Sequence, residues 1–179
     1  MRSHRFKTCI SKTRIERTVL ELAGQIDRYA HANRVSEFCV VCVMDGAFIF
    51  CADLVRAMKT PSSIVFVKAR SYDGTRGGRL QLSPLPDSIQ GRAVLVVDTI
   101  YDTGKTVAKV LREVRKLTSQ ITLVVLVEKQ DKSVVTPGLA AVETFVGIRI
   151  QGDPFLVGYG LDVSGRFRNL KDIRIYSSC

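Results

Sequence analysis

The chain is short of the residues and runs from which extended, secreted or membrane proteins are built. With 5 prolines and 13 glycines in 179 residues, and no internal repeat or biased tract, it is neither a disordered tail nor a tandem array. Its 5 cysteines are an odd set, and Cys39, Cys42 and Cys51 lie in apolar surroundings, so no disulfide framework is indicated. Cys39 and Cys42 have the spacing of a metal or redox pair, but no second pair follows and both fall inside a strand-like run; they read as core residues. The apolar runs at 38–44 and 93–97 stop far short of the roughly 20 residues that cross a bilayer. The basic amino terminus continues into polar Ser11-Lys12-Thr13-Arg14 instead of the apolar centre of a signal peptide. A cytoplasmic protein without membrane contact is expected. Acidic groups are the scarce charge, 17 against 27 basic, and a net charge of +10 points to anionic partners, either phosphates or nucleic acid.

What is present suits one globular domain spanning residues 1–179. Hydrophobic residues make up 46% of the chain, and at this length about 70% of the extended surface can be buried. Ile15, Val19, Leu22, Ile26 and Tyr29 recur every three or four positions, which predicts a helix over 13–30. The β-branched run 38–44 predicts a strand covered on both faces, ended by Asp45-Gly46-Ala47. A helix over about 48–58, strands over 64–68, 92–97, 121–127 and 144–148, and an amphipathic helix carrying Val107, Val110, Leu111, Val114 and Leu117 follow. A short strand is expected at 155–158, and 71–79, polar with three glycines, reads as a loop. This alternation predicts an α/β fold, a mostly parallel twisted sheet flanked by helices, with ligands at the carboxyl ends of its strands.

The most informative stretch is Val94-Leu95-Val96-Val97-Asp98-Thr99-Ile100-Tyr101-Asp102-Thr103-Gly104-Lys105-Thr106. An apolar strand delivers two carboxylates and then a small-residue loop into a helix. Unpaired N–H groups at a helix start attract phosphate, Thr103 and Thr106 add hydroxyls, Gly104 permits close approach and Lys105 adds a charge. The spacing is not that of a Walker A loop. A helix N-cap would account for one of these residues but not for all of them.

The segment resembles the phosphoribosyl pyrophosphate motif of type I phosphoribosyltransferases. Val43 to Phe50, Ser71-Tyr72, Glu128-Lys129, Phe155 to Asp162 and Arg168-Asn169-Leu170 are similar, in order and spacing, to the hypoxanthine-guanine phosphoribosyltransferase branch. Taken singly, Lys129, Phe155, Asp162 and Arg168 read as a strand-end lysine, a core aromatic, a turn residue and a surface charge; their joint order carries the resemblance. It implies a small hood built from the terminal segments and purine salvage as the function. In that reaction a 5-phosphoribosyl group passes from phosphoribosyl pyrophosphate to N9 of a 6-oxopurine, giving IMP or GMP and pyrophosphate.

The roles implied are specific. Asp102 to Thr106 would hold the 5-phosphate, Asp98 and Thr99 would meet the ribose, and Asp102 would also be the catalytic base at N7. Asp45 and Gly46 would bend around pyrophosphate, which Arg168 would bind. Lys129 would donate to O6, Ile100 and Phe155 would sandwich the ring, and backbone near Leu156 and Leu161 would read its far edge. Ser71 and Tyr72 would open a closing lid. Asp98 and Asp162 would hold Mg2+ on the leaving group. A homo-oligomer, dimer or tetramer, is implied, and nucleic acid is not.

Two positions depart from the family pattern. Thr99 stands where a second acid is usual, which implies slower chemistry and a gain on Thr99→Asp if the missing charge limits turnover. Ser133 stands where an Arg is usual, with Lys132 beside it. A nucleotide-sensing or RNA-binding regulator is the alternative reading, but retention of Asp102 favours the enzyme.

Overall fold

A computed structural model describes residues 4–71, 80–131 and 142–178. Strands β1 (His4–Ile10), β2 (Phe38–Met44), β3 (Ser62–Ser71), β4 (Leu80–Leu82), β5 (Val94–Tyr101), β6 (Ile121–Lys129), β7 (Glu143–Ile150), β8 (Leu156–Val157) and β9 (Ile173–Ser178) alternate with helices α1 (Lys12–Ala32), α2 (Phe48–Ala57) and α3 (Lys105–Val114). The main sheet has the order β4-β3-β2-β5-β6-β7, and every pair except β3–β4 is parallel. The expected α/β fold is what forms.

Each element follows from a local cause. α1 starts where Ser11 Oγ accepts the Arg14 amide at 3.3 Å, and it buries Ile15, Val19, Leu22 and Ile26. β2 and β6 are almost wholly buried because the sheet has helices on both faces, as their unbroken apolar runs require. One core layer joins Ile15, Leu22, Ile26, Phe50 and Leu54 to Val40, Leu95 and Val97; the other joins Val107, Val110, Leu111 and Val114 to Val41, Val94 and Val96. Cys39, Cys42 and Cys51 are buried free thiols within these layers.

The order of strands decides where a ligand can sit. From β2 the chain moves outward to β3, then crosses back to β5 and continues outward through β6 to β7. Connections therefore leave β2 and β5 in opposite directions, and a crevice opens beyond their carboxyl ends. A second, antiparallel sheet, β1-β9-β8, is the hood formed by the terminal segments.

Several boundaries differ from the sequence reading, and two of them bear on the site. β5 runs past Val97 to Tyr101, because Asp98, Ile100 and Tyr101 still pair with Val125, Val127 and Glu128 of β6; Asp98 and Thr99 are thus strand residues. α3 ends at Val114, and Leu117 lies in the following turn, its amide bonded to the Val114 carbonyl at 2.9 Å. Ser71 closes β3, whereas the rest of the expected lid, from Tyr72, and the Lys132–Ser133 departure lie outside the described residues.

Candidate active site

At the switch between β2 and β5 lies a cavity of about 340 Å³, lined by Met44, Gly46, Asp98, Ile100 and the loop Asp102 to Thr106. A larger groove of about 590 Å³ lies between 81–85 and α3, where Lys109 and Lys116 both pair with Glu113. Its one carboxylate, Glu113, is taken up by both lysines, so that groove presents no unpartnered acceptor of that kind among the described residues. The smaller cavity does.

The loop is not a helix cap. α3 begins after Gly104, at φ 74° in the left-handed region, and no side chain caps its first turn. Asp102 and Thr103 are therefore not spent on the helix start, whose first amides are left for an anion. Asp98 is buried, 8% exposed, and its Oδ1 accepts the Thr99 amide at 2.8 Å. Burial outweighs this bond and that from the Ile100 amide, and pushes the carboxyl pKa up to about 7.

That shift fixes a dependence on pH. The folded protein holds the Asp98 proton more tightly than the unfolded chain, whose group titrates near 3.8. Its stabilising contribution is complete below about pH 3.8 and is lost as pH rises through about 7. The urea midpoint should fall over that window more steeply for the ligand-free protein than for Asp98→Asn. Parallel profiles would contradict it.

Lys129, at the end of β6, is only 5% exposed. Its ammonium lies 3.3 Å from Asp102 Oδ2 and 2.9 Å from Asp153 Oδ1. The other oxygen, Asp102 Oδ1, is buried without a hydrogen-bond partner among the described residues. A donor and an unsatisfied acceptor therefore stand side by side. Asp153 was not singled out in the sequence; pairing of β6 with β7, Lys129 opposite Ile150, brings it near. Two residues on, Phe155 is 53% exposed, its ring 5.9 Å from that of Tyr176. Phe155 thus lies two residues along the chain from Asp153, which shares Lys129 with Asp102.

The remaining groups cluster beyond β2 and β8. The Met44–Asp45 peptide is cis, and Asp45 Oδ1 lies 3.2 Å from Lys68 Nζ, a partner that no local pattern indicates. Thr99 is fully buried and donates to the Gly46 carbonyl at 3.0 Å. Arg168 donates to the Gly160 carbonyl at 2.6 Å and to Asp162 Oδ1 at 2.8 Å, while Asp162 Oδ2 accepts the Gly165 amide at 2.6 Å. Leu156 pairs with Ile175 of the hood, and Leu161 exchanges backbone bonds with Gly158 at 2.9 and 3.0 Å.

Gly160 closes this arrangement at φ +96°, and a Cβ on it would lie 2.2 Å from the Gly46 carbonyl oxygen. Gly160→Ala should therefore cost about 1–3 kcal/mol through strain and displace the Gly46 turn. A denaturant midpoint unchanged from wild type would refute this.

The comparisons give the class. The family described as "Phosphoribosyl transferase domain" matches residues 10–137. Hypoxanthine phosphoribosyltransferase of Haemophilus influenzae is 33% identical over 95% of this chain and 94% of its own, and that of Salmonella typhimurium is 36% identical over 93% of each. The crystal structure of a hypoxanthine-guanine phosphoribosyltransferase from Bacillus anthracis superposes with a TM-score of 0.80 at 30% identity, covering 97% of this chain and 99% of that one. The chain belongs to the hypoxanthine-guanine phosphoribosyltransferase family of the type I phosphoribosyltransferases.

Proposed function

We propose that this enzyme transfers 5-phosphoribosyl from phosphoribosyl pyrophosphate to N9 of hypoxanthine, guanine or xanthine, forming the nucleoside monophosphate and pyrophosphate. The observation that carries the reading is Lys129 beside Asp102: an ammonium donor next to a carboxylate oxygen that lacks a partner. O6 and N7 lie on one edge of a 6-oxopurine, and the two groups complement it if N7 carries the proton. Lys129 would donate to O6 while Asp102 takes the N7 proton as N9 becomes the nucleophile. Adenine, with a donor at C6, would set N–H against N–H.

The donor would lie along the cavity. The loop Asp102 to Thr106 and the amides of the first turn of α3 would take the 5-phosphate, and Asp98 the ribose hydroxyls. Pyrophosphate would depart towards Asp45, Gly46 and Arg168, whose guanidinium would exchange its present partners for the anion. Phe155 and Ile100 would flank the ring, with backbone near Leu156 and Leu161 at its far edge, and Ser71 with Tyr72 would open the lid that excludes water.

Mg2+ is part of this proposal. Among the described residues no three His, Cys, Asp or Glu converge on a point. Asp98 and Asp162, both hard oxygen donors, would hold the ion from the protein side. Bound there, it would neutralise charge on the leaving group.

We place the protein in the cytoplasm as a single domain; among the described residues no helix is long and apolar enough to cross a membrane. Its partners would be the two substrates and further copies of itself, not nucleic acid. The exposed Ile64 and Phe66, two apart on β3, are of the kind that subunit contacts cover. Pyrophosphate release with hypoxanthine, guanine and xanthine, and its absence with adenine, tests the reading. No turnover with any of the oxopurines would end it.

A further inference from the structure

Between Asp98 and Thr106, Thr99 alone does not line the cavity at the switch between β2 and β5. It has no exposed surface, and the Gly46–Ala47 peptide it meets carries Ala47 in the layer of α1 and α2. Its hydroxyl donates to the Gly46 carbonyl at 3.0 Å. The other end of the same peptide link is also held, because the Ala47 amide donates to the Val43 carbonyl at 3.1 Å. Gly160 crosses against that carbonyl so closely that no side chain fits, and the Gly160 carbonyl in turn accepts from Arg168. One unbroken set of contacts thus runs from β5 through the turn after β2 to the segment after β8.

We infer that Thr99 is a positioning residue which latches the Gly46–Ala47 peptide, and so sets the attitude of the turn that receives the diphosphate end of the donor. This rests on the phosphoribosyltransferase reading above. A hydroxyl suits the position because the group it meets is an acceptor. An ionised carboxylate there would set acceptor against acceptor where water is excluded; it would either take up a proton or push the turn away. Thr99 is therefore a part with its own task and not a weakened version of an acid, and restoring the acid gives no gain.

Steady-state kinetics with the donor and the base varied separately, on Thr99→Val, Thr99→Asp and the pair Thr99→Ser and Thr99→Ala, test this. The last pair removes the hydroxyl with the methyl absent from both, so it reads the bond even if Val packs poorly. Val and Ala should raise KM for phosphoribosyl pyrophosphate, and the inhibition constant of pyrophosphate, about 10-fold, with KM for hypoxanthine unchanged; this is the scale of one buried hydrogen bond. Ser should restore both constants, and Asp should weaken the donor at least as much as Val without raising kcat. A faster Asp variant, an unchanged donor KM in Val and Ala, or donor and base constants rising together would overturn the latch. An inert wild type would instead defeat the enzymatic reading, and calorimetric binding of pyrophosphate to wild type and Val would then still decide the latch.

Discussion

Asp102→Asn should lower kcat about 100-fold to 10,000-fold, the range over which a positioned base assists proton transfer. The expectation comes from the two oxygens of one carboxylate. Oδ2 faces the Lys129 ammonium at 3.3 Å, whereas Oδ1 is buried without a partner among the described residues. A buried acceptor left unsatisfied costs about 1–3 kcal/mol, and a protonated ring nitrogen is the donor that would relieve it. Asparagine keeps the shape and one acceptor oxygen but cannot take up the proton. KM for the donor should change little, because its phosphates would be held by the start of α3 and not by this carboxylate. Single-turnover rates with saturating donor and hypoxanthine separate the two effects. A rate within about threefold of wild type would remove Asp102 as the base.

The second large effect is expected of Lys129→Met, which removes the ammonium and keeps most of the length of the chain. Lys129 is held between Asp102 and Asp153, and it is too buried for solvent to substitute for it. Losing a charge-assisted bond to O6 should lower kcat/KM for hypoxanthine about 10-fold to 150-fold, corresponding to roughly 1.5–3 kcal/mol. Adenine gains nothing from the ammonium, so the preference for hypoxanthine over adenine should shrink by the same factor. The variant also leaves two carboxylates near each other without their shared cation, so its thermal unfolding must be followed alongside. A preference that survives in a folded variant would show that O6 is recognised elsewhere.

The parts of the site legible in the sequence are those made by adjacent residues. Asp98 to Thr106 could be read as strand, loop and helix start because burial, turn chemistry and helix period change within a few residues of one another. The helix over 13–30 and the strand over 38–44 were legible for the same reason, since their periods are local. Asp153 was not, because its bond to Lys129 exists only through the register of β6 against β7. Nor were the Lys68–Asp45 pair, which needs β3 beside β2, or the need for glycine at 160, which comes from a carbonyl far away in the chain. Thr99 shows the difference most sharply. Its position in the motif suggested contact with ribose, while the fold brings the Gly46 carbonyl, 53 residues earlier in the chain, to its hydroxyl.

The amino-acid order by itself determined that the chain would form an α/β domain, that a small-residue loop would carry a buried strand into a helix, and which residue types stand there. Those properties depend on periodicity and on neighbours along the chain. Tertiary structure alone decided which acceptor was left without a donor, which carboxylates share the lysine, and which carbonyl Thr99 meets. Each of these follows from strand order and register, which bring together residues that no local pattern connects.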